Sequence, residues 1–453
     1  MMRLFARSLA LQIGWWCQAF GREGRRLAPL SPRRLVFLFL LYPPFVVLQL
    51  VHWLAFGLDE IFFPGYRDVA IEEPLIVTGV PRSGTTFVHR LLAAESQAFS
   101  TMRTWEVLLA PAVSERRLIQ GLAAFDRFCG GLGARLLTRA TTTLVGDRME
   151  DVHAVGLDAA EEDYLALLPA AGCFGLVLAF PTSEHLWSLG SLSSLPRRDR
   201  EALIRFYEAL VQKHLYVFGE GRRFLSKNAA FGTWIPALAE RFERARFLIC
   251  IRSPLEGLSS QLSSIDPARA LFGIDPGRDR LNSRFVELFE GTHVALEQTL
   301  AEGRFDVAIV DAGDLRAAPV ATLGAALARL GVDLGGDLGV DLAADLRGEG
   351  PTEIRRGGAG VQTDEEDGSR SASVSGNVSG NADPSRHAHR PSDFGLTLDA
   401  LPLQLIRSHA RLREHRSRPG VDPRVGVSLR QRPTGAPRSR SVDRRVGVGR
   451  GFD

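Results

Sequence analysis

From Ile71 onward, the apolar positions of this chain follow two alternating periods. Short, continuously apolar runs at Leu75–Val80, Phe224–Lys227, Phe247–Ile251 and Val307–Val310 read as buried strands. Between them, apolar residues recur every three or four positions. That spacing predicts helices at Thr86–Ala94, Arg200–Phe218, Trp234–Phe242, Leu255–Ser263, Leu281–Leu300 and Pro319–Leu330. Short strands separated by helices imply an α/β domain on a parallel sheet, with ligands gathered at the carboxyl ends of the strands.

The pattern changes at both ends. Residues 1–34 are arginine-rich, and Arg22, Arg25, Arg26, Arg33 and Arg34 precede an apolar run at 35–58 that is long enough to cross a bilayer. Pro43-Pro44 falls within the run, with Gln49 and His52 beyond, so a straight spanning helix conflicts with the sequence. A bent interfacial segment or a re-entrant hairpin fits as well, and the bland alternative is a helical pair packed on the catalytic domain. The basic cluster beside large apolar residues favours membrane association. Residues 357–384 are rich in Gly, Ser, Asp and Asn and read as a mobile insertion. Residues 416–453 form an Arg-rich tail without apolar period, expected to be disordered and to have no specific nucleic-acid partner.

The most telling segment is Leu75-Ile-Val-Thr-Gly-Val-Pro-Arg-Ser-Gly-Thr-Thr-Phe87. A strand runs into a Gly/Ser/Thr turn and then a helix, which aims bare N–H groups and hydroxyls at one anion. Gly79 and Gly84 have the spacing of the nucleoside-triphosphate loop, but Thr85 stands where that loop has lysine. The donor is therefore expected to carry a shorter anionic tail than a triphosphate.

Pro81-Arg82-Ser83-Gly84-Thr85-Thr86 resembles the phosphosulfate loop of the sulfotransferases that use 3′-phosphoadenosine 5′-phosphosulfate (PAPS). Arg252 ends a strand and Ser260 follows eight positions on, similar to that family's 3′-phosphate signature. Phe224-Leu-Ser-Lys227-Asn228, Val310-Asp-Ala-Gly-Asp314 and Ser385-Arg-His-Ala-His-Arg-Pro-Ser-Asp-Phe394 resemble further family blocks, in order, over roughly Glu60 to His415. The resemblance implies a P-loop NTPase-like sulfotransferase fold over residues 70–415, with PAPS as co-substrate and no metal. It assigns Arg82, Ser83, Gly84, Thr85 and Thr86 to the phosphosulfate, Arg252 and Ser260 to the 3′-phosphate, and Arg82 and Lys227 to the charge that develops on the leaving group.

The proton acceptor is less determined. Ala229 stands where many family members carry a histidine, two residues after the lysine. Members that modify protein tyrosine use a glutamate after the first helix, which makes Glu106 the first candidate base and His153 the second. Glu106 can equally be a helix-start carboxylate. The acidic run Glu161-Glu162-Asp163 can orient a base, recognise a cationic acceptor, or form a solvated helix face. Taken singly, Arg82 and Lys227 read as surface cations and the Ser-Gly-Thr-Thr turn as a helix cap. Their co-occurrence at strand-to-helix junctions favours the functional reading.

Composition adds little. Hydrophobic residues make up 45% of 453 and charged residues 24%, ordinary for a globular protein, and a net charge of +3 gives no general case for nucleic acid. The four cysteines lack paired spacing, which argues against a zinc or disulfide framework, and Cys250 reads as a core residue. Glycan, lipid, small alcohol and protein tyrosine all remain open as acceptors. The compartment is open too: a cytoplasmic membrane face in a bacterium or the Golgi lumen in a eukaryote. The competing readings are a P-loop kinase and a catalytically inactive membrane scaffold with this fold.

Overall fold

The computed structural model describes residues 1–131, 133, 157–219, 221–275, 277–333, 391–394 and 396–416. The chain forms two compact units, Met1–Ser417 and Arg418–Asp453, and the second lies outside the described residues. So do His153, the 357–384 stretch and residues 385–390.

The first unit is built on β1 (Leu75–Gly79), β2 (Phe99–Ser100), β3 (Arg223–Lys227), β4 (Arg246–Ile251) and β5 (Asp306–Asp311). These make one parallel sheet in the order β2-β3-β1-β4-β5. Every residue of the central strand β1 is buried, which is why it reads as an unbroken apolar run. Each expected strand is present with its ends within one residue. The edge strand β2 has only two residues, too few for a periodic signal. Val77 pairs with Lys227 and Gly79 with Cys250, so the loop leaving β1 emerges between the ends of β3 and β4.

The helices are α1 (Met2–Ala19), α2 (Arg22–Leu27), α3 (Pro32–Val36), α4 (Tyr42–Phe62), α5 (Thr85–Ala94), α6 (Thr104–Leu109), α7 (Val113–Phe128), α8 (Glu184–Ser188), α9 (Arg197–Phe218), α10 (Ile235–Arg241), α11 (Pro254–Phe272), α12 (Asp279–Glu302), α13 (Ala312–Ala317), α14 (Pro319–Arg329) and α15 (Leu403–Arg416). One apolar cluster joins the N-terminal helices, α9 and α12 to one side of the sheet. A smaller one, with Val88, Leu92, Leu315, Leu323 and Leu327, covers the other.

Pro43-Pro44 does not break the N-terminal apolar run. A π turn at Phe37–Leu41 joins α3 to α4, so Pro32–Phe62 is one helix of 31 residues. A proline ring clashes with the carbonyl four residues back, and the wider π spacing just before the prolines relieves that clash. Among the described residues this helix is long and apolar enough to cross a membrane. Its two faces differ. Val47, Leu54, Ile61 and Phe62 lie on an exposed apolar face, while Gln49, His52, Trp53, Phe56 and Asp59 are buried in the protein.

The buried face is fastened by polar bonds. Asp59 accepts from the backbone N–H of Val113 and of Ser114, both at 2.8 Å, at the start of α7, and from Lys213 Nζ at 2.9 Å. His52 Nδ1 lies 2.6 Å from Glu115 Oε1, and Trp53 Nε1 donates to the Pro169 carbonyl at 2.9 Å. The bland alternative thus accounts for one face of α4. Arg34 also leaves the basic cluster: it is buried, with Nη1 donating to the Ala179 carbonyl at 2.8 Å. Cys250 is fully buried on β4, as its apolar surroundings in sequence imply.

Candidate donor and transfer site

The anion loop is shaped by close packing at the end of β1. Gly79 has φ 135°, and a Cβ on it would lie 2.0 Å from the Cys250 carbonyl oxygen, so only glycine lets β1 and β4 approach here. Val80 N–H donates to that same carbonyl at 3.0 Å. The turn then closes on itself, with Ser83 Oγ donating to the Val80 carbonyl at 2.5 Å. Arg82 (φ 64°) and Gly84 (φ 92°) are both left-handed. That conformation costs a non-glycine residue about 1–2 kcal/mol, so Arg82 is held in it by its contacts. Helix α5 starts at Thr85, and its first N–H groups have no partner within the helix, which is how a helix N-terminus receives an anion. Thr85 is buried and Thr86 exposed.

A second strand end meets this loop. Arg252 follows β4, and its Nη1 donates to the Arg82 carbonyl at 3.2 Å while its Nε donates to Glu256 at 3.0 Å. Arg82 Nε in turn donates to Ser260 Oγ on α11 at 3.1 Å. Ser259 is buried beside it, with an Oγ that has no hydrogen-bond partner among the described residues.

On the other flank of β1, β3 ends at Lys227, which is 4% exposed and ion-paired with Glu162. Two bonds lock the ends of β1 and β3 together: Asn228 N–H to the Val77 carbonyl at 3.0 Å, and Thr78 Oγ1 to the Asn228 carbonyl at 2.8 Å. Asp163, next to Glu162, is buried and accepts from the Tyr207 hydroxyl at 2.5 Å. That hydroxyl also lies 3.0 Å from Ser226 Oγ, the residue before Lys227. Burial pushes the Asp163 carboxyl up to about 7, against the lowering effect of its hydrogen bonds. His89 on α5 is pushed down to about 3 by burial, with help from Lys227 and Arg90, so it is neutral; its Nε2 bonds Thr101 Oγ1 at 2.8 Å.

Glu106 has different partners. It is buried on α6, its Oε2 is 2.7 Å from His214 Nδ1 and 3.7 Å from Arg116, and His214 Nε2 is 2.8 Å from Ser100 Oγ. Burial acts to raise the Glu106 carboxyl, but His214 and Arg116 outweigh it and hold it below the usual range. Burial also lowers His214, against the pull of Glu106. Glu106, His214 and Ser100 line a cavity of about 450 Å³ together with Arg90, Thr101 and Arg103.

A model of the sulfotransferase family matches residues 74–156, which include the whole β1 loop. Over that segment the chain is similar to the sulfotransferase family. Two bacterial sulfotransferases have similar solved structures. Sulfotransferase STF1 from Mycobacterium tuberculosis H37Rv aligns with a TM-score of 0.53 at 17% identity, covering 78% of this chain and 95% of that one. Sulfotransferase STF9 from Mycobacterium avium gives 0.51 at 17% identity, covering 77% and 87%. At that identity the likeness speaks for the sulfotransferase fold. No curated protein matches the sequence.

In this sulfotransferase fold, Arg82, Ser83, Gly84, Thr85, Thr86, Arg252 and Ser260 gather at one end of the sheet, with Lys227 on the adjoining strand. Glu106 is joined to His214 and Arg116, and His153 lies outside the described residues. The pairing of Glu162 with Lys227, and the burial of Asp163 against Tyr207, were not legible from the acidic run, which gives no sign of which acid turns inward. Tyr207 and His89 carried no signal at all, being ordinary members of helical patterns. Among the described residues, no group of three or more His, Cys, Asp or Glu side chains is placed to hold a metal ion.

Proposed function

We propose that this chain moves the sulfuryl group of PAPS to a hydroxyl or amine acceptor by in-line transfer. The Arg82–Ser260 hydrogen bond carries this reading, because it joins two anion-binding strand ends into a single site. A donor with phosphate groups at both ends of a nucleoside needs two such points side by side. The unpartnered, buried Ser259 Oγ and the left-handed turn at Arg82 and Gly84 fit an anionic ligand. PAPS, when bound, supplies an activated sulfuryl group on a phosphate leaving group.

In this reading the backbone N–H groups and hydroxyls from Ser83 to Thr86 hold the phosphosulfate oxygens. Arg82 and Lys227 place positive charge where the bridging oxygen gains electrons. Arg252 and Ser260 hold the 3′-phosphate, the arginine by charge-assisted hydrogen bonds. Incubating the chain with labelled PAPS and fractionated cell extract tests the reading and reveals the acceptor. Transfer of label to one fraction supports it. Retained binding of 3′-phosphoadenosine 5′-phosphate (PAP) without transfer to any fraction supports the inactive scaffold instead.

The chain is also proposed to rest on a membrane surface through the outer face of Pro32–Phe62. Leu54 and Ile61 are 67% and 70% exposed there, while Arg22, Arg25, Arg26 and Arg33 are exposed near its start. Large apolar side chains bordered by arginines suit the boundary of an anionic bilayer. The buried Asp59, His52 and Trp53 bonds favour a helix lying along the surface over one that leaves the domain to span it.

A further inference from the structure

We propose that Glu162 is the general base that takes the acceptor's proton, and that Lys227 holds it at the transfer point until the leaving group needs the lysine. The inference rests on the sulfotransferase reading above and gives the base role to Glu162 in place of Glu106 and His153, the candidates taken from the sequence.

Position comes first. Lys227 pairs with Val77, two residues before Gly79, and the bonds through Asn228 and Thr78 fix the ends of the two strands together. Lys227 therefore ends the strand next to the one that feeds the anion loop. Glu162 is its ion-pair partner. The two side chains differ in exposure, 4% for Lys227 and 26% for Glu162. The lysine is enclosed by protein, while the carboxylate is partly open to solvent, where an acceptor can reach it.

Support from behind comes next. Asp163 is clamped by the Tyr207 hydroxyl, which also reaches Ser226, the neighbour of Lys227. Residues 162–163 are thereby fastened to the very end of β3. A base fixed in this way meets its proton without first having to be ordered. Glu106 is placed for another task. His214 and Arg116 bind its carboxylate, and its side chain is only 2% exposed against 26% for Glu162.

The step balances as follows. The acceptor oxygen bonds to sulfur while the bond from sulfur to the bridging phosphate oxygen breaks. The electron pair of the broken bond stays on that oxygen, beside Lys227. The acceptor's proton passes to the Glu162 carboxylate. As the bridging oxygen gains charge it draws Lys227, and the carboxylate so released is open to receive the proton. One lysine thus serves first the base and then the leaving group.

The test uses the full chain, with PAP binding measured by calorimetry and label transfer measured from labelled PAPS to the extract fraction that the wild type labels. Glu162→Gln is expected to keep PAP affinity within about 3-fold and to lose transfer by about 100-fold or more. Glu162→Asp should recover part of that loss, and added formate should restore transfer to Glu162→Ala by supplying a small carboxylate base. A melting temperature near the wild-type value shows that each variant is folded. Transfer by Glu162→Gln within about 3-fold of wild type, with PAP bound, overturns the assignment. A wild type that neither binds PAP nor transfers label overturns the sulfotransferase reading itself, a different result from an active wild type with an active Glu162→Gln.

Discussion

Arg82 Nε donates to Ser260 Oγ at 3.1 Å, although the two residues lie 178 positions apart in the chain. The bond ties the left-handed turn after β1 to α11, and Arg252 reinforces it by donating to the Arg82 carbonyl. In the proposed reading, Arg82 both contacts the donor and sets the spacing of its two anion points. Arg82→Ala is expected to weaken PAP binding by about 10- to 100-fold, the range of a hydrogen bond to a charged group. Ser260→Ala, which leaves the charge in place, should cost less. Calorimetric titration of both variants with PAP checks the order.

Gly79 tests the architecture beneath the loop. A Cβ there meets the Cys250 carbonyl oxygen at 2.0 Å, and that oxygen is rigid strand backbone. The positive φ adds strain for any other residue. Gly79→Ala should part β1 from β4, lowering the melting temperature and abolishing PAP binding together. A variant that melts like the wild type contradicts this packing account.

Asp59 is buried, with three donors on its two oxygens, and it fastens α4 to α7 and α9. Removing it leaves Lys213 buried without its counter-charge. Burial already lowers that lysine to about 8 in spite of Asp59. Asp59→Ala should cost about 3–5 kcal/mol, the usual penalty for breaking a buried ion pair. Urea unfolding measures it.

Asp163 gives a pH signature with a definite sign. Its carboxyl rises from 3.8 to about 7 on folding, so the folded state holds the proton more tightly. Its contribution to stability is full below pH 4 and is lost as the pH rises toward 7, at up to about 1.4 kcal/mol per pH unit. Asp163→Asn removes this slope. Unfolding of both proteins at pH 5 and pH 8 should show the wild type losing more stability than the variant.

Membrane attachment through α4 predicts a simple change in partitioning. Wild-type chain should float with vesicles containing anionic lipid, and Leu54→Glu combined with Ile61→Glu should not, because two charges then enter the apolar face. PAP affinity should be unchanged, since that face lies outside the donor site. Equal flotation of wild type and variant contradicts the assignment.

The sheet and the strand–turn–helix at the candidate donor site were legible because both rest on local rules. Continuous apolar runs give buried strands, and the Pro81–Thr86 turn needs particular residues at fixed offsets. The reading of the 35–58 run as a bent interfacial segment or a helical pair stayed undivided, because it depends on what the inner face meets. Asp59, His52 and Gln49 give no hint in sequence that Lys213, Glu115 and the core will receive them. Helix α11 also runs through Pro267 to Phe272, past the expected end at Ser263, because its packing outweighs one missing hydrogen bond. The acids at 161–163 show the same limit, since chain order does not say that Glu162 turns to Lys227 and Asp163 to Tyr207.

The central claim, that one site binds a nucleotide with phosphates at both ends and no triphosphate, is tested most directly by titrating the wild-type chain with PAP and, separately, with Mg-ATP. The account predicts saturable PAP binding, weakened at least about 10-fold by Arg252→Ala, and much weaker binding of Mg-ATP. Mg-ATP binding as tight as PAP binding, or PAP binding untouched by Arg252→Ala, contradicts it.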